Sequence, residues 1–109
     1  MAMKGTEKQA EWADTIRIRF LETLDKRIAR CQEDGKTLVF RAEHITVEDA
    51  LKARERIDRC EDAKAFIEAE GLDLGLVCSI AIGRFEPGMD GWQPEFVYLF
   101  TGFRGGWEG

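Results

Sequence analysis

Leu76-Val77-Cys78-Ser79-Ile80-Ala81-Ile82-Gly83-Arg84-Phe85 is the stretch whose reading decides the fold class. It is apolar and rich in β-branched residues, the pattern of a largely buried strand. Glu86-Pro87-Gly88-Met89-Asp90-Gly91 after it is turn chemistry. Pro94 suits the start of a strand and not its centre. Glu95 to Phe103 (EFVYLFTGF) then reads as the returning strand. Phe96, Tyr98 and Phe100 share one face; Val97, Leu99 and Phe103 take the other. The two strands predict a hairpin with a long loop.

Upstream the pattern is helical. Thr6-Glu7-Lys8-Gln9 fits a capping box, in which side chains satisfy the first unpaired amides of a helix. Ala13, Ile16, Phe20, Leu24, Ile28 and Cys31 follow at steps of three and four, one face of a 3.6-residue period. Trp12, Ile18 and Leu21 widen or flank that stripe. Gly35 is the natural stop. At about 1.5 Å per residue such a helix spans roughly 37 Å, more than a domain this small needs, which suggests a projecting or paired portion. Lys36 to Ala42 (KTLVFRA) reads as a strand, with Leu38 and Phe40 on one side and Val39 on the other. Thr46 is a second N-cap, with Ile45 and Ala50 placed for a hydrophobic staple. Ala50, Ala53, Ile57 and Cys60 give the inner face of a second helix. Asp58 and Glu61 permit a new capping box, so a break is expected near Asp58 to Cys60. A short helix through Ala63, Phe66 and Ile67 then runs to Gly71.

The resulting expectation is an α+β fold of order α-β-α-α-β-β, with a long N-terminal helix. A three-stranded, mostly antiparallel sheet packs on the helices. The 109 residues suffice for one domain, with residues 1–5 and 104–109 as loose ends. Nothing in the sequence is apolar for long enough to cross a bilayer, and Met1 to Glu7 lacks the apolar core of a signal peptide. A cytoplasmic protein, without membrane contact, is expected.

The search for chemistry returns little. His44 is the single histidine and Ser79 the single serine. A hydrolase triad would need both, and Ser79 falls in the expected core strand. Cys31, Cys60 and Cys78 are 29 and 18 residues apart, which matches no metal-ligand pair. Their odd number in an unexported chain argues for free thiols. The glycines form no phosphate-binding motif. No catalytic residues, metal site or cofactor are assigned; an enzyme using His44 stays as an alternative. The net charge of −5 argues against direct nucleic-acid binding, which needs a concentrated positive face, without excluding it, since Arg17, Arg19, Lys26, Arg27 and Arg30 cluster on the expected first helix.

Aromatic residues crowd the end of the chain. Trp92, Phe96, Tyr98, Phe100, Phe103 and Trp107 exceed what one helix-covered sheet face can hide. A leftover apolar patch marks an interaction site, and Trp and Tyr are enriched where binding energy concentrates. Trp92, Tyr98, Phe103 and Trp107 are therefore the expected partner contacts, with Arg17 and Arg19 secondary. The expected function is non-enzymatic binding of a protein or protein complex, with a homodimeric assembly module as the alternative.

The opening Gly5-Thr6-Glu7-Lys8-Gln9-Ala10-Glu11-Trp12-Ala13-Asp14-Thr15-Ile16-Arg17, with the later Asp62-Ala63-Lys64-Ala65-Phe66-Ile67, resembles small uncharacterised proteins of phages and other mobile elements. The resemblance covers about twenty residues in two pieces and does not extend to residues 76–103. It implies an accessory protein acting in the cytoplasm of a bacterial host. Inhibition of a host defence complex, as by anti-CRISPR proteins, is the concrete role implied.

Overall fold

The computed structural model describes residues 6–41, 43–84, 88, 90, 92–94, 99 and 102–103. Among these residues the elements follow in the order α1 (Glu7–Asp34), β1 (Leu38–Val39), β2 (His44–Ile45), α2 (Val47–Arg59), α3 (Ala63–Ala69) and α4 (Leu74–Ala81). The fold is mostly helical, with a small antiparallel ladder of two strands, Leu38 opposite Ile45 and Val39 opposite His44.

Local signals set the first two helices. Thr6 Oγ1 accepts from the Gln9 amide at 3.1 Å, and the Thr6 amide donates to Gln9 Oε1 at 3.1 Å, closing the capping box. Gly35 ends α1 in the left-handed region (φ 69°), its amide donating to the Cys31 carbonyl. That conformation is cheap only without a Cβ. Thr46 caps α2 through the Asp49 amide, and Ile45 and Ala50 are both buried beside it. The expected break follows Arg59, but Asp62 and not Asp58 caps α3, accepting from the Lys64 amide.

The 28 residues of α1 reach about 42 Å at 1.5 Å per residue, the length of the molecule's longest axis. α1 is buried on one side from Ala13 to Ile28, packed by α2, α3 and β1. Phe20, Phe66 and Phe103 form the aromatic centre. The Phe66 ring lies 6.5 Å from Phe20 and edge-on to Phe103 at 5.2 Å, a separation at which aromatic pairs add to plain burial.

The strand expected over Leu76–Phe85 is corrected. Residues 74–81 are the helix α4, and five consecutive residues, Val77 to Ala81, are buried. Five in a row exceed one helical turn, so the helix is enclosed on every side. A helix apolar all round carries no 3.6-residue signature, which is why the run reads equally well as a strand. With α4 helical the expected hairpin falls, and the described residues hold two strands and not the expected three-stranded order. Of the expected returning strand only Leu99, Gly102 and Phe103 are described, and their backbone is helical; the rest lies outside the described residues. The strand expected over residues 36–42 contracts to Leu38–Val39 and pairs with His44–Ile45. Its faces hold, with Leu38 and Phe40 buried and Val39 58% exposed.

Arginines fasten the pieces together. Arg56 donates to the Ala81 carbonyl at the end of α4 (2.6 Å), Arg17 to Asp58 (3.4 Å), Arg27 to Val39 (2.7 Å) and Arg84 to His44 (3.0 Å). Each guanidinium satisfies a carbonyl at the end of a helix or in the short ladder.

Ser79 is the exception in α4. Its hydroxyl is fully buried without a hydrogen-bond partner, which costs about 1–3 kcal/mol. Ser79→Ala is therefore expected to raise stability by ~1 kcal/mol, since Ala also favours the helix. Urea unfolding measures it; a loss of stability would mean that the hydroxyl is bonded.

Candidate functional site

The groups capable of nucleophilic or acid–base work lie in different surroundings. His44 is exposed on β2, where its backbone accepts from Arg84. Burial holds the Cys78 thiol up at about 12, helped by nearby Asp73. Burial likewise raises the Cys60 thiol to about 11, against a backbone hydrogen bond from Asp62 that lowers it. Both are protonated near neutrality and are poor nucleophiles. No group of three His, Cys, Asp or Glu able to hold a metal exists among the described residues.

The raised thiols make stability pH-dependent. Above about pH 9 the unfolded chain releases these protons while the folded chain keeps them, so stability falls as pH rises toward the folded values. Each thiol contributes a loss of about 1.4 kcal/mol per pH unit. Between about pH 8 and 10 the two together account for ~2–3 kcal/mol. Urea unfolding of reduced protein should show this loss, and the double variant Cys60→Ala/Cys78→Ala should show a flatter profile. Equal slopes in both proteins would contradict it.

Four of the six residues expected as partner contacts are described. Phe103 is enclosed against Phe66, and Trp92 is half-buried against the core. Tyr98 and Trp107 lie outside the described residues. Arg17 pairs with Asp14 and donates to the Asp58 carbonyl, so it belongs to the joint between α1 and α2. Arg19 stands on the surface, 3.4 Å from Glu70.

The outer surface of α1 is more distinctive. Lys8, Trp12, Arg19, Thr23, Lys26 and Arg30 follow one another at steps of four, seven, four, three and four residues, and all are exposed. At 3.6 residues per turn they form one edge of the helix. Glu11, Asp14, Glu22 and Asp25 occupy the other edge, beside α2, where Asp25 pairs with Arg54 at 2.5 Å. Trp12 is 48% exposed; its Nε1 donates to Glu70 at 3.3 Å, the carboxylate that also takes Arg19. The indole is thereby oriented without being covered. Sequence reasoning had Trp12 only as a flank of the buried stripe. The signal available was its position just outside Ala13 and Ile16, among basic residues.

The basic edge leads into a cleft of about 400 Å³ between the end of α1 and β1. Arg27, Arg30 and Lys36 line it, with Asp34 as the only carboxylate among the described lining residues. The Arg27 guanidinium lies 4.7 Å over the Phe40 ring while bonding the Val39 carbonyl, a combination that holds it in place. A second hollow of about 370 Å³ adjoins, sharing Cys31, Lys36 and Thr37 and reaching Thr46 and Val47. No helix among the described residues is long and apolar enough to cross a membrane. In comparison with known proteins, the chain matches no family model, no curated protein and no solved structure.

Proposed function

We propose that this chain is a non-enzymatic protein-binding module that meets its partner along the outer edge of α1. One observation carries the reading: Trp12, a large ring on a rigid helix, is oriented by Glu70 and left half open to solvent. Trp is the residue type most enriched where binding energy concentrates, and a pre-ordered ring loses little freedom on docking. Burial that keeps the Cys60 and Cys78 thiols protonated, with His44 exposed, speaks for binding over covalent catalysis. The opening-helix resemblance supports a narrower role, a phage or mobile-element accessory protein that occupies a host defence complex. Trp12 itself lies in the segment that carries that resemblance.

A photo-crosslinking amino acid at position 12, in protein expressed in a bacterial host, tests this. The expected result is a discrete adduct with one host protein, lost when untagged wild-type chain competes. An adduct with a second copy of the chain would replace the reading by homodimeric assembly. The absence of any adduct would overturn it.

A further inference from the structure

The cleft at the end of α1 carries the opposite charge to the chain around it. The whole chain has a net charge of −5, yet among the described lining residues Arg27, Arg30 and Lys36 face a single carboxylate, Asp34. Lys26 stands one turn before Arg30 on the same exposed edge. Arg27 is fixed by the Phe40 ring and the Val39 carbonyl. The side chains of Arg30 and Lys36 form no hydrogen bond or ion pair with any described residue. Thr37 supplies a hydroxyl, and Val39, 58% exposed, an apolar rim. Cations held in a concave site and left unpaired point to an anionic occupant, because charge-assisted hydrogen bonds are about twice as strong as neutral ones.

We infer that the cleft seats an acidic segment of a partner protein, with carboxylates on Arg30 and Lys36 and an apolar side chain against Val39. This rests on the reading of the chain as a protein-binding module and adds the chemistry of what is bound. A nucleic-acid strand fits the surface less well. It places a charge on every nucleotide and would have to pass Asp34 and the exposed Glu33. Carboxylates of a folded partner are discrete and avoid such neighbours. Remote acidic residues do not cancel the local field, since the screening length is about 8 Å at physiological ionic strength.

Fluorescence anisotropy with the full chain decides the matter. The probes are a short labelled Glu-rich peptide containing one Leu, and an oligothymidylate of equal charge. The peptide should bind about tenfold or more tightly than the oligothymidylate and weaken several-fold between roughly 50 and 200 mM salt. Arg30→Glu/Lys36→Glu should weaken it by about tenfold or more. Both side chains are exposed, so an unchanged unfolding midpoint will confirm that the variant folds. Absence of peptide binding, or affinity unaffected by charge reversal, overturns the proposal. Oligothymidylate binding as tight as the peptide overturns it in favour of nucleic acid. A crosslink at position 12 without peptide binding would keep the binding-module reading and remove only the acidic partner.

Discussion

Phe66→Ala is expected to lower the stability of the protein by ~3–5 kcal/mol, enough to unfold much of a domain whose total is about 5–15 kcal/mol. Phe66 is fully buried on α3 and touches aromatic rings on two sides, Phe20 of α1 and Phe103 near the end of the chain. Truncation removes the transfer energy of the ring, opens a cavity and breaks both aromatic contacts. Relaxation cannot refill the space cheaply, because α3 is held at its start by the Asp62 cap and along its length by α1. Urea unfolding followed by far-UV circular dichroism will show the midpoint shift. Phe103→Ala should also destabilise by several kcal/mol, of order 3. A loss below about 1 kcal/mol for Phe66→Ala would mean that the ring is not enclosed as described.

Gly75→Ala should destabilise by ~1–3 kcal/mol, against the usual direction of that exchange. In an exposed helix interior, Ala is favoured over Gly by about 1 kcal/mol. At position 75 the added Cβ would lie 2.4 Å from Phe40 Cβ and 2.8 Å from its Cγ, with Asp73 Oδ2 at 2.9 Å. The nearest atom sits at the root of the Phe40 side chain, so no rotamer change relieves the contact and α4 must move off the segment after β1. Gly71→Ala serves as the control, because nothing lies within 4 Å of a Cβ there. A stabilising Gly75→Ala would show that α4 does not pack on Phe40. The sign of this change also separates the helical packing of residues 74–81 from the strand that the sequence suggests.

Much of the first half of the fold is legible without coordinates. The Thr6 and Thr46 caps, the Gly35 stop and the buried face Ala13-Ile16-Phe20-Leu24-Ile28 stand as read. Each depends on residues no more than a few positions apart, so the sequence carries the whole interaction. The faces of β1 were legible for the same reason; its partner was not. His44–Ile45 looked like a lead-in to a helix, and two residues are too few to show alternation. The candidate site was half legible. Arg19, Lys26, Arg27 and Arg30 stand out as a basic cluster on one helix, but the sorting of Arg19, Lys26 and Arg30 to one edge became significant only once α2 and α3 showed which edges remain open. Arg17, in the same cluster, turns inward to Asp14 and the Asp58 carbonyl.

The sequence by itself determined where α1 and α2 begin, where α1 ends and which stripe of α1 turns inward, because hydrogen bonds within a turn and the helical period are properties of neighbouring residues. The tertiary structure alone decided that residues 74–81 coil into a helix and that Phe103 closes on Phe66 instead of facing outward. An apolar run satisfies a strand or a buried helix equally well on its own. Which one forms depends on the shape of the space left by distant side chains, here Phe40 against Gly75 and the Arg56 guanidinium waiting for the Ala81 carbonyl.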